Sequence, residues 1–146
     1  MIEVKRLTKY TWEKAEEIRK LLIELSRSGK DKGEISEEWF LDVINSPWHD
    51  VILAEEDGRV VGMANMSIVM GAGVRKNAYL EDFVVSSEMR GKGVGGLIWE
   101  ELIKWAKEKG AGRLEFTCGK GREVAHKFYF SHGAEIYKTD FFRVEF

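Results

Sequence analysis

Apolar and charged residues alternate from Ile2 to Leu7, the two-residue period of a half-buried strand. Thr11 then offers a hydroxyl suited to a helix start, and Ala15, Ile18, Leu22 and Leu25 recur at helical spacing with Leu21 beside them. The polar, glycine-bearing run Ser26 to Gly33 separates this helix from a second one, which Ser36 caps. That second helix carries Trp39, Phe40, Val43 and Ile44 and must end before Pro47. Val51 to Ala54 and Val60 to Met70 flank Asp57-Gly58, a pair that supplies the positive φ of a hairpin turn, so two antiparallel strands are expected. After the loop Gly71-Ala72-Gly73, Ala78 to Val85 reads as a strand with two adjacent acids, Glu81 and Asp82, in an otherwise apolar run. A glycine-rich turn leads into a helix whose stripe is Leu97, Ile98, Leu102, Ile103, Trp105 and Ala106, stopped by Gly110. Arg113 to Cys118 is a short strand, Glu123 to His132 a short helix closed by Gly133, and Ala134 to Phe146 two terminal strand segments.

Length and composition narrow the class. A chain of 146 residues with 44% hydrophobic and 12% aromatic residues can bury one core, so a single domain over residues 1–146 is expected. The formal net charge of −2 provides no overall field for nucleic acid or an anionic membrane. A local basic patch from Lys104, Lys107, Lys109 and Arg113 is interleaved with Glu100, Glu101 and Glu108, which describes a solvated helix face. The first nine residues lack the apolar core of a signal peptide, and the apolar stretch Val60 to Met70 is too short for a membrane helix. One cysteine, Cys118, suits a reducing cytoplasm and reads as a structural thiol. His49, His126 and His132 are scattered, and no metal-ligand spacing is present.

Arg90-Gly91-Lys92-Gly93-Val94-Gly95-Gly96 lies between a strand and a helix, where free amides and the helix dipole favour an anion. Glycines let a phosphate approach the backbone, and Arg90 and Lys92 add charge. A dinucleotide-binding unit would need further parallel strands and an acid at a strand end, whereas Glu115 falls inside its strand. A P-loop would need Lys-Ser/Thr after the last glycine, and Leu97 follows Gly96. The pattern Arg90-x-x-Gly93-x-Gly95, the preceding Leu80-Glu81-Asp82-Phe83-Val84-Val85 and the later Ala125-His126-Lys127-Phe128-Tyr129 with Gly133 occur in one order. In that order they resemble the GNAT superfamily of acyl-CoA-dependent N-acetyltransferases, and Tyr79 to Ala134 is similar to its diamine N-acetyltransferase branch. Arg122 stands where many members carry Asn, and Gly133-Ala134 where many carry Gly-Phe.

The resemblance implies an α/β (α+β) fold: a mixed, mostly antiparallel central sheet of about six to seven strands flanked by about four helices. It implies that the sheet splays between the strands of Glu81 and Cys118 to admit acetyl-CoA. The pyrophosphate would rest on Arg90, Gly91, Lys92, Gly93, Val94, Gly95 and Gly96, and a backbone N–H near Phe83, Val84 or Val85 would polarise the thioester. An alkylamine acceptor, with a pKa of about 10.4, must lose a proton before it can attack. Glu81 is the candidate base, tuned by burial in its strand, and Asp82 would point to the opposite face of a regular strand. Tyr129 is the candidate acid for the departing thiolate. The resulting expectation is direct acetyl transfer to a primary amine of a small molecule or peptide, without metal, by a cytoplasmic enzyme that pairs as a homodimer. The alternative is a non-catalytic acyl-CoA-binding regulatory domain.

Overall fold

The computed structural model describes residues 1–73 and 75–146. Met1–Phe116 form one unit and Thr117–Phe146 a second. In the first, β1 (Ile2–Arg6), α1 (Trp12–Leu25), α2 (Glu37–Asn45), β2 (His49–Glu56), β3 (Arg59–Met70) and β4 (Lys76–Val85) precede a 3-10 turn at Ser87–Met89, followed by α3 (Val94–Glu108) and β5 (Leu114–Phe116). The second contains α4 (Glu123–Ser131). Among the described residues no helix is long and apolar enough to cross a membrane.

Local chemistry sets the element ends. Thr11 accepts a hydrogen bond from the Lys14 amide at 3.2 Å, and Ser36 accepts one from the Trp39 amide at 3.1 Å, so each hydroxyl satisfies an orphan donor of the first turn. Asp57 and Gly58 both have positive φ, 50° and 80°, which matches the twist of the β2–β3 hairpin. In α4, Gly133 at φ 86° lets the Ala134 amide turn back to the Tyr129 carbonyl at 3.0 Å and close the helix.

The sheet order is β1-β2-β3-β4-β5. The first three pairings are antiparallel; β4–β5 is parallel, and α3 supplies the crossover that a parallel pair requires. Val51, Leu53, Met63 and Val84 face one way and join Ala15, Ile18 and Leu21 of α1 and Phe40 and Val43 of α2 in the core. Gly62 and Phe83, one residue out of phase with Met63 and Val84, face α3. The buried carboxylate Glu55 is held by Lys5, at 2.6 Å, and by Lys14, which joins β1, β2 and α1. Burial raises its pKa, but the two ammonium groups outweigh burial and leave it below the ordinary value.

Five strands are present among the described residues, against the six to seven expected. The shortfall is at the carboxyl end: residues 134–146 carry neither helix nor strand, so the alternation there is not realised as a ladder. Leu97, expected on the apolar stripe of α3, is exposed, and Trp99 is buried in its stead. Trp99, Leu102, Ile103 and Ala106 hold positions i, i+3, i+4 and i+7, the spacing that sets the inward face.

A Cβ placed on Gly62 would meet Ile98 Cδ1 at 2.8 Å and the Val84 carbonyl oxygen at 3.2 Å, so glycine permits the close approach of α3 to β3. Gly62→Ala is expected to lower stability by about 1–3 kcal/mol in urea unfolding, by overpacking this contact. An unchanged unfolding midpoint would contradict the packing role.

Candidate active site

The register of β3 against β4 shifts once. Asn65 opposes Asp82 and Met66 opposes Leu80, so Glu81 is an extra residue with no partner across the ladder. A bulge of this kind bends its strand and re-aims the side chain it inserts. Asp82 consequently lies on the face covered by α1 and α2, and Leu80 on the face of α3, with Glu81 between them. Glu81 is exposed, which corrects the expectation of a buried base in a regular strand: the bulge takes it out of the alternation that would have buried it.

On its other edge β4 pairs with β5 through Ala78, Tyr79 and Leu80 only, and the ladder ends at Leu80–Phe116 while β4 continues to Val85. Trp99 of α3 packs edge-on against Phe83, with ring centroids 6.3 Å apart, and against Phe116 at 6.0 Å. One buried indole therefore bridges the two strands at the point where their pairing ends. Of the residues expected to line the thioester, Phe83 faces this aromatic contact, Val84 is buried in the core, and Val85 offers its carbonyl to the neighbouring turn.

That turn is the glycine-rich segment. Met89 and Val94 are buried and clamp its two ends, while Arg90, Gly91, Lys92 and Gly93 are exposed between them. Gly91 and Gly93 take φ of 75° and 83°, a left-handed conformation costly for residues with a Cβ. Gly93 is the N-cap of α3 and has no side chain to occupy the first amides of the helix. A Cβ at Gly91, Gly93 or Gly96 would meet nothing within 4 Å, so the surface beside these glycines is open. Such a row of donors at a helix start fits a pyrophosphate.

Arg90 is fixed from two directions. Its Nε donates to the Val85 carbonyl at 3.1 Å, and its Nη2 lies 3.6 Å from Glu24 Oε2 on α1. The same Glu24 oxygen accepts the Ser87 amide at 2.9 Å. Sequence reading missed Glu24, because nothing in the spacing of α1 distinguishes it from other surface acids. It also missed Asn65, whose side-chain amide donates to Asp82 Oδ2 at 2.9 Å and meets His49 on β2.

Tyr129 belongs to the second unit, whereas Glu81 and the glycine turn belong to the first. Burial, followed by the neighbouring Cys118 thiol, pushes the Tyr129 phenol up to about 12, with Arg122 acting in the opposite direction. The group is therefore a neutral proton donor across the neutral range. His126 Nδ1 lies 3.8 Å from Cys118 Sγ, a neighbour that sequence spacing did not reveal. This nitrogen also lies 2.7 Å from the Arg122 carbonyl, which can only accept, so it carries the proton and is no base toward the thiol. Among the described residues no group of three or more His, Cys, Asp or Glu is placed to hold a metal ion.

Residues 12–134 match the model of the acetyltransferase (GNAT) family. A Bacillus subtilis (strain 168) protein, provisionally named a ribosomal-protein-bS18-alanine N-acetyltransferase, is 22% identical over 99 residues, 68% of this chain. The match spans 62% of that relative's length. An integron cassette protein from the mobile metagenome of V. cholerae is 28% identical with a TM-score of 0.74, covering 99% of this chain and 92% of its own. An aminoglycoside acetyltransferase from a soil metagenome superposes with a TM-score of 0.83 at 19% identity, covering 99% and 96%. The aminoglycoside N-acetyltransferase AAC(6')-Iy, solved with CoA, gives 0.76 at 18% identity, covering 99% and 95%. The chain belongs to the GNAT superfamily of N-acetyltransferases.

The tyrosine is open to direct titration. Absorbance at alkaline pH is expected to show one phenol ionising near pH 12, missing in Tyr129→Phe. A Tyr129 phenol ionising near the ordinary 10 would contradict its burial.

Proposed function

We propose that this chain, as one N-acetyltransferase domain over residues 1–146, moves an acetyl group from acetyl-CoA directly to the primary amine of a small molecule or peptide. The observation that carries this reading is the junction of strand and turn. Arg90 ties the exposed glycine-rich turn at the start of α3 to the Val85 carbonyl, on the strand that presents Glu81. A merely tight turn would not need two left-handed glycines and an uncapped helix start facing open space. Acetyl-CoA, when bound, supplies an acetyl thioester. Arg90, Lys92 and the amides of Gly91, Gly93, Val94, Gly95 and Gly96 hold its pyrophosphate, and a backbone N–H of Phe83, Val84 or Val85 holds the carbonyl oxygen.

Glu81 takes a proton from the acceptor ammonium, directly or through water; an exposed carboxylate on a bulge is reachable by a solvated amine. The amine nitrogen forms the new bond to the acetyl carbon, the carbon–sulfur bond breaks, and the sulfur takes its proton from Tyr129; the second proton leaves the nitrogen as the amide forms and, through water, restores the phenol. The Tyr129 phenol keeps that proton until it is needed, since its ionisation lies near 12. Cys118 takes no covalent part, because its neighbour His126 points a proton at the Arg122 carbonyl instead of drawing one from the thiol. The motif order shared with the diamine branch makes polyamines the first acceptors to try, and the aminoglycoside enzymes of similar fold make aminoglycosides the second. The same reading places the enzyme in the cytoplasm as a homodimer, for which the exposed Trp12, Leu41, Val69 and Met70 provide apolar surface.

Glu81→Gln and Tyr129→Phe should each lower kcat by roughly 10²- to 10⁴-fold with little change in acetyl-CoA affinity. Gly93→Val, which forces a β-branched residue into a left-handed φ and fills the space over the amides, should raise the Kd for CoA at least about tenfold. Cys118→Ala should retain near-native turnover. Unchanged CoA affinity in folded Gly93→Val, or full activity in Glu81→Gln, would remove the corresponding assignment.

A further inference from the structure

His49 on β2, Asn65 on β3 and Asp82 on β4 lie on the sheet face covered by α1 and α2, and their side chains form one line across three strands. Asn65 Nδ2 donates to Asp82 Oδ2 at 2.9 Å, and Asn65 Oδ1 meets His49 Nε2 at 2.5 Å. A carboxylate can only accept, so the Asn65 amide nitrogen must face Asp82 and its oxygen must face His49. His49 then carries a proton on Nε2, and the line runs in one direction from imidazole to amide to carboxylate. All three residues are half-buried. Asn65 is also the residue at which the β3–β4 register changes.

We infer that Asn65, oriented by His49, is a positioning residue that ties Asp82 to β3 and thereby makes Glu81 the extra residue of the bulge and the single free carboxylate of the pair. The inference rests on the reading of Glu81 as base. Glu81 and Asp82 carry the same functional group one position apart, so the chemistry of the carboxylate alone does not choose between them. Position does. A one-residue slip of a strand exchanges the faces of its side chains, and a bulge at Asp82 instead of Glu81 would exchange the roles of the two acids. The charge-assisted bond from Asn65 to Asp82 exists in one register only, and His49 removes the freedom of the amide to rotate away. Misplacing a reacting group by about 1 Å can cost about 10²-fold, so Asn65 acts on the reaction through the placement of Glu81.

The test is a double-mutant cycle with Asn65→Leu, which keeps the volume and removes both hydrogen bonds. Asn65→Leu alone should lower kcat for amine acetylation about 10- to 100-fold, with the KM for acetyl-CoA unchanged because the glycine turn is untouched. Glu81→Gln should cost far less in the Asn65→Leu background than in the wild type, since the freed Asp82 can then take the proton; adding Asp82→Asn should restore the full cost. Equal costs of Glu81→Gln in both backgrounds would overturn the proposal. A wild-type protein that acetylates no amine would instead remove the reading of Glu81 as base. The positioning claim then stands or falls on the nitrogen-15 spectrum of the wild type: a fixed Nε2–H tautomer of His49 with exchange-protected Asn65 amide protons supports it, and a mixed tautomer with unprotected amide protons contradicts it.

Discussion

Glu81 stands in β4 with no partner in β3, and the geometry of the first unit around the site follows from that one extra residue. It separates Leu80, facing α3, from Asp82, facing α1 and α2, and it sets the phase of everything downstream on the strand. With that phase, Phe83 meets Trp99, Val84 enters the core beside Met63, and Val85 presents its carbonyl to Arg90. In a regular strand the next three residues would exchange faces, burying the aromatic ring where α1 packs and leaving Arg90 without its anchor. The bulge follows directly on the last β4–β5 pair, so β4 changes course where its second neighbour stops.

The glycine turn depends on the same phase through a second connection. Glu24 near the end of α1 accepts the Ser87 amide and pairs with Arg90, so α1, the 3-10 turn and the glycine segment form one linked unit at the carboxyl end of β4. Gly62 works from the opposite side, letting α3 lie close against β3. The hydrogen bonds are partly solvated and each contributes little alone, on the order of 1 kcal/mol. Their effect is on geometry: they hold an amide row and a carboxylate-bearing strand in fixed register.

Features that follow from local chemistry were legible in the sequence. The helix caps at Thr11 and Ser36, the positive-φ pair Asp57-Gly58, the stop at Gly133 and the glycine-rich helix start each depend on residues a few positions apart, and each is present. The features that were not legible depend on pairing between distant segments. No spacing rule within β4 reveals that Asn65 will oppose Asp82, or that the register will shift there and expose Glu81. The Asn65 line to His49, the tie from Glu24 to Arg90 and the approach of His126 to Cys118 belong to the same class. The carboxyl segment 134–146 shows the complementary failure, since alternation reports a capacity to pair and a ladder also needs a neighbour in register.

Direct transfer of an acetyl group from acetyl-CoA to an amine is the reaction proposed for this chain. Mass spectrometry of the products, after incubating the full chain with acetyl-CoA and a panel of polyamines, aminoglycosides, amino acids and lysine peptides, tests it most directly. Direct transfer yields N-acetylated amine and free CoA in equal amounts for at least one acceptor class, with no acetyl group retained on the protein. Acetyl-CoA that binds and stays intact with every acceptor, or an acetyl group on Cys118 passed on to the amine at the turnover rate, would contradict it.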